Sequence, residues 1–109
     1  MENFGSSIIA DKFEKAFKIL DDAIKTLDTY ELHKNFVNAK EYFKAEYDEY
    51  SKVKYEGNDL IRQFYYPMLQ DVYVQSLSMV KKNSKDKNKI QQEVISAYWY
   101  IKYWMDQLK

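Results

Sequence analysis

IQQEVISAYWYIKYWMDQL, Ile90 to Leu108, decides the fold of this 109-residue chain. Ile90, Val94, Ala97, Ile101, Trp104 and Leu108 follow one another at spacings of four, three, four, three and four, with Tyr98 and Met105 on the shoulder of the stripe. Only an α-helix, with about 3.6 residues per turn, gathers those positions on one side. A stripe of that kind must be buried against other elements, so a helical bundle is expected.

The same stretch carries a second apolar face. With Ile90 at zero and about 100° per residue, the core stripe spans roughly −40° to +80°, while Ile95, Trp99 and Tyr103 fall near 140°, 180° and 220°. Tyr100 lies between the two faces. A helix with apolar groups on opposite sides is either covered within its own chain, here by the second helix or the N-terminal segment, or touched by another molecule. Trp and Tyr supply large contact area at low entropic cost, as binding hot spots do. Ile95, Trp99, Tyr100 and Tyr103 are therefore the expected protein interface, either of a symmetric homodimer or of a docking site for a different protein.

Immediately before this helix, KKNSKDKNK (Lys81 to Lys89) has no apolar residue and reads as a loop, with Asn88 as N-cap and Gln91 three residues on. Its five Lys and one Asp give a net charge of +4. Lys81, Lys82, Lys85, Lys87 and Lys89 are candidate phosphate contacts, although no Arg or aromatic residue is interleaved with them. From Gln63 to Val80 the only formal charge is Asp71, and Phe64, Tyr65, Met68, Leu69, Val72, Tyr73, Val74, Leu77 and Val80 cover almost every direction of a helix. That pattern predicts the central helix of a bundle, capped by Asn58 or Asp59 and kinked or restarted at Tyr66/Pro67. Gln63, Gln70, Asp71, Gln75, Ser76 and Ser78 interrupt it too often for a membrane span.

Nearer the N-terminus, Leu32, Phe36, Ala39, Phe43, Tyr47 and Tyr50 mark the buried stripe of another helix. It starts at Thr29 behind an Asp28/Glu31 capping box and stops at Gly57. Before it, Ile9, Phe13, Ala16, Phe17, Leu20, Ala23, Ile24 and Leu27 form one apolar face behind a Ser6 or Ser7 cap. Asp11/Lys15, Glu14/Lys18 and Asp21/Lys25 pair along its wet side. No Gly or Pro enforces the break between Leu27 and Leu32, so a continuous helix there stays open. The expected fold is a single all-α domain over 1–109, an antiparallel four-helix bundle with helices near 7–28, 29–56, 59–82 and 89–108.

Composition narrows the function. Seventeen acidic residues balance seventeen basic ones, so no global field attracts nucleic acid or an anionic membrane. Only Arg62 is arginine, which disfavours bidentate recognition of phosphate as a main activity. The chain has no cysteine and its N-terminus lacks the basic and apolar regions of a signal peptide, so a reducing cytoplasm is expected. His33 is the single histidine; its neighbour Glu31 lies on a different helical face, which leaves no zinc or di-iron motif and makes His33 an expected surface or boundary residue. Asp71 is expected to be satisfied by a Tyr hydroxyl or a Lys. A catalytic reading would need it in a pocket lined by Tyr hydroxyls.

Two stretches have family echoes. Tyr55-Glu56-Gly57 resembles the Trp-x-Gly turn of the helical-hairpin proteins of type VII secretion, but Tyr replaces Trp and two further helices follow. LIRQF, Leu60 to Phe64, in a small four-helix chain is similar in outline to HEPN-type domains, whose ribonuclease motif is Arg-x-x-x-x-His. Pro67, not His, stands five residues after Arg62, so that activity does not carry over. Size, lysine content and helicity are shared with bacteriocin immunity proteins and carry no motif. The sequence thus predicts a non-catalytic helical protein without metal or cofactor, acting by protein binding as an adaptor, assembly subunit or stoichiometric inhibitor. The competing expectation is a nucleic-acid-associated protein contacting phosphates through the Lys81–Lys89 segment.

Overall fold

The computed structural model describes the backbone of residues 2–52 and 61–108 and the side chains of 11–52 and 63–107. Within them lie α1 (Glu2–Ala23), α2 (Thr29–Ser51), α3 (Tyr66–Leu69) and α4 (Lys87–Leu108), and no strand. α3 is the middle of a longer third segment, with π-helical turns at Ile61–Tyr65 and Gln70–Val74 and a 3₁₀ turn at Leu77–Met79. The expected stop at Gly57 and the Asn58 or Asp59 cap fall outside the described residues, as do the side chains of Ile9 and Leu108.

Neighbouring helices run antiparallel. Lys12 meets Glu46 and Ala23 meets Asn35 across α1 and α2. Tyr66 stacks on Tyr47, while Lys40 reaches the Val80 carbonyl across α2 and the third segment. Asp71 meets Trp104 and Lys81 meets Glu93 on the last pair. The chain is therefore an all-α antiparallel four-helix bundle, measuring 50 × 26 × 17 Å. Helices pack about 8–10 Å apart, so that cross-section holds two layers and leaves most helices a wet side.

Side chains make the first junction without Gly or Pro. Asp28 accepts the Glu31 N–H at 2.9 Å and starts α2, as its capping box predicts. The Thr26 hydroxyl accepts the Asp28 N–H at 3.1 Å, and Asn35 donates to the orphan carbonyl of Ala23 at 3.0 Å. α1 consequently ends at Ala23 rather than Asp28, which leaves Leu27 92% exposed and off the apolar face expected for it. At the other end the helix already runs from Glu2, so Ser6 and Ser7 lie inside it and do not cap it. On the wet side Lys25 pairs with Asp22 at 3.0 Å instead of Asp21, and Lys15 lies over the Tyr42 ring. The second helix runs to Ser51, with Lys52 as its C-cap.

The third segment departs most from expectation. Pro67 lacks an N–H and its ring crowds the preceding turn; the chain answers with a wide π turn before it and restarts as α-helix at Tyr66. Ser76 and Ser78 then turn their hydroxyls back on the Val72 and Val74 carbonyls at 2.6 and 2.7 Å, competing with the helical ladder. The regular helix stops at Val74, not near residue 82. This segment touches α1, α2 and α4 and buries Tyr65, Met68, Leu69, Val72, Leu77 and Val80, but Phe64 and Met79 are exposed, so it is not enclosed on every side. α2 likewise lies against α1, α4, α3, the second π turn and the 3₁₀ turn, and keeps one wet side. Its stripe of Leu32, Phe36, Ala39, Phe43 and Tyr50 is buried, with Tyr47 half-buried.

α4 begins at Lys87, inside the stretch expected to be loop. Asp86, not Asn88, is its cap: the Asp86 carboxylate accepts the Asn88 and Lys89 N–H groups at 2.8 and 3.3 Å, and its carbonyl accepts the Ile90 N–H at 2.9 Å. The carboxylate also offsets two lysines, Lys87 and Lys89, at the positive end of the helix dipole. Ile90, Val94, Ala97 and Ile101 are buried, as the sequence stripe requires; Trp104 is half-buried, and Met105 on the shoulder of the stripe is buried.

Candidate functional site

Because the core stripe fixes the rotation of α4, the opposite face has to point outward. Trp99 is 66% exposed, Tyr103 56%, Ile95 54% and Tyr100 40%. Each step of four residues places one apolar side chain above the next. Two of the rings are steadied from behind, Trp99 by an edge contact with Tyr98 at 6.1 Å and Tyr103 by an edge contact with Trp104 at 5.7 Å.

Beside this face lies an open concavity of about 390 Å³, lined by Asp71, Trp99, Tyr100 and Tyr103. Asp71 comes from the second π turn of the third segment. The donor that holds it is neither the Tyr hydroxyl nor the Lys expected from sequence: the Trp104 indole N–H donates to Oδ2 at 2.9 Å. Trp104 thus links the two faces of α4, packing on the core while orienting a carboxylate at the edge of the aromatic patch. Among the described residues that line the concavity there is no His, Lys, Arg or second carboxylate, so these residues do not pair an acid with a base for proton transfer.

The basic segment is built differently. Lys81, Lys82, Lys85, Lys87 and Lys89 are all exposed, but the segment is tied down by Glu93. One carboxylate oxygen of Glu93 accepts the Lys81 N–H and His33 Nε2–H at 3.0 Å each, and the other accepts the Ser84 hydroxyl at 2.6 Å. Burial would raise the Glu93 carboxyl, but the donors from Ser84, Lys81 and His33 outweigh it and hold the group below its ordinary value. His33 is accordingly buried, at 8% exposure, against the expectation of a surface residue. Its partner is an acid sixty residues away rather than Glu31. The carboxylate, not the imidazole, sits at the centre of this trio, so Ser84 has no imidazole base and the arrangement works as a structural tie.

Among the described residues no group of His, Asp and Glu could hold a metal ion, and no helix is long and apolar enough to cross a membrane. Sequence phasing places Ile95, Trp99, Tyr100 and Tyr103 together on the surface correctly; it misses that Asp71 joins them. The isolation of that single charge within Gln63–Val80 is the signal, but only the packing of the third segment on α4 supplies the neighbour. Comparison with known proteins gives no matching family, no matching curated protein and no matching solved structure.

Proposed function

We propose that this chain is a small non-catalytic helical protein that works by binding another protein through the aromatic face of α4. The observation that supports this reading is the exposure of Ile95, Trp99, Tyr100 and Tyr103 side by side on a helix whose other face is fully used by the core. Exposed aromatic surface of this kind is stabilised by being covered, and rigid Trp and Tyr side chains lose little entropy when it is. A second copy is the alternative occupant of the same face.

The test is a Trp99→Lys/Tyr103→Lys double variant. It should keep its helical circular dichroism and its thermal midpoint within a few degrees, because neither side chain belongs to the core. It should lose association, read by light scattering for self-assembly and by capture with a defined partner for a heteromer. Identical behaviour of the double variant and the parent in both assays sinks the reading.

The exposed Lys81–Lys89 segment supports a second reading, phosphate contact with nucleic acid, since no described carboxylate forms an ion pair with those five lysines. A salt titration separates the two. Phosphate contacts lose affinity steeply with ionic strength, whereas an aromatic interface responds weakly.

A further inference from the structure

We propose that the concavity between α4 and the third segment receives a lysine side chain of the partner protein, its ammonium against Asp71 and its alkyl chain against Trp99, Tyr100 and Tyr103. This rests on the reading of the aromatic face as a docking surface and adds the chemistry of the occupant.

Charge is the first reason. Asp71 is the sole charged group among the described residues that line the concavity, and its hydrogen-bond partner is a neutral indole. Among the described residues no cation pairs with it. A carboxylate bordered by aromatic surface attracts a cation more strongly than it would in open water. The faces of Trp and Tyr add to that attraction through their negative quadrupole.

A filled version of the same chemistry exists elsewhere in the molecule. Lys12 Nζ lies 3.2 Å from Glu46 Oε1 and over the rings of Tyr50 and Tyr65, 5.2 and 5.8 Å from their centroids. Carboxylate, rings and ammonium are all present there. At Asp71 the carboxylate and rings are present and the ammonium is not.

The geometry of Asp71 selects lysine over arginine. Its Oδ2 already accepts from Trp104, so a two-pronged guanidinium fork would have to share that oxygen with the indole, whereas a compact ammonium needs only Oδ1. The size of the patch fits a partner anchored by one inserted side chain rather than a broad face-to-face contact. Its four exposed side chains offer roughly a few hundred Å² of apolar surface, short of the ~800 Å² each partner contributes to a typical stable interface. The second π turn, a device common where a side chain must be re-aimed at a site, carries Asp71 itself.

The test uses the full-length protein, with resonances of Trp99, Tyr100 and Tyr103 followed by NMR. It is titrated with Nα-acetyl-lysine methylamide, its norleucine and arginine analogues, and tetramethylammonium chloride. The lysine compound should give saturable shifts and bind at least about tenfold more tightly than the norleucine compound, a difference of ~1.4 kcal/mol. Asp71→Asn keeps an acceptor for the Trp104 indole and should weaken lysine binding by a similar factor; Trp99→Leu, at an exposed position, should weaken it independently. Equal binding of lysine and norleucine, no saturable binding, or an unchanged affinity in Asp71→Asn overturns the proposal. Tighter binding of the arginine compound or of tetramethylammonium overturns the assignment to a lysine side chain. Partner docking that survives Asp71→Asn but not Trp99→Lys/Tyr103→Lys overturns this inference while leaving the docking reading standing. If lysine binds yet docking is absent, the site belongs to a free amine and the partner side chain is ruled out.

Discussion

Two places in this bundle combine a carboxylate with aromatic rings, and they differ in whether the set is complete. Around Glu46, the Tyr65 hydroxyl donates at 2.5 Å to the same oxygen that holds Lys12, and Phe13 and Tyr50 meet the Tyr65 ring edge-on at 5.4 Å each. That cluster joins α1, α2 and the third segment. Around Asp71 the only donor among the described residues is Trp104, and Trp99, Tyr100 and Tyr103 face solvent. The first cluster holds the fold together. The second is held in place by the fold and is left open, and that contrast is what directs the search for function to α4.

The contrast breaks most visibly through Glu46→Ala. This change leaves the Lys12 ammonium and the fully buried Tyr65 hydroxyl without their shared acceptor, and about 2–4 kcal/mol should be lost in urea unfolding. An unchanged midpoint would erase the distinction between the two clusters.

Alkaline pH probes the same cluster. Burial lowers the affinity of Lys12 for its proton, but contacts with Tyr50 and Glu46 outweigh it and the group is pushed up to about 12, from an ordinary 10.5. Its folded value is the higher one, so its contribution is fully present below 10.5 and is lost as pH rises through about 12. Parent and Lys12→Met proteins should converge in stability by ~1–2 kcal/mol over that range, measured by denaturation at a series of pH values. Among the described residues no cation pairs with Asp71, so no comparable alkaline step is expected of the open site.

Trp104→Phe keeps an aromatic ring at the edge of the core and removes the indole N–H. A loss of about 1 kcal/mol is expected, together with a freer Asp71 carboxylate and weaker binding of a lysine side chain. Asp71→Asn should be the mildest, within about 0.5 kcal/mol of the parent in unfolding, because its amide oxygen can still accept from Trp104. A large destabilisation there would show that the open cluster is a structural element like the closed one.

Much of this molecule is legible in its residues. The 3-4 spacing of α4, the stripe of α2 and the Asp28/Glu31 box are local rules, and the elements obey them. Phasing alone also separates Trp99 and Tyr103 from Ala97 and Ile101, since one helix cannot bury both sets against a single core. The errors have local causes as well. Asn35 and Thr26 end α1 through hydrogen bonds to backbone that no periodicity reports, and Asp86 outcompetes Asn88 as a cap because a carboxylate better offsets the lysines around it.

His33 and Asp71 belong to a different class. Their partners, Glu93 and Trp104, lie sixty and thirty-three residues away and are chosen by how the helices stack. The sequence by itself determined which face of each helix is apolar, because side-chain direction repeats with the backbone. Only the tertiary structure decided that His33 is buried against Glu93, and that one carboxylate stands beside three exposed rings. Both depend on the register between helices, and register is a property of packing that no single helix encodes.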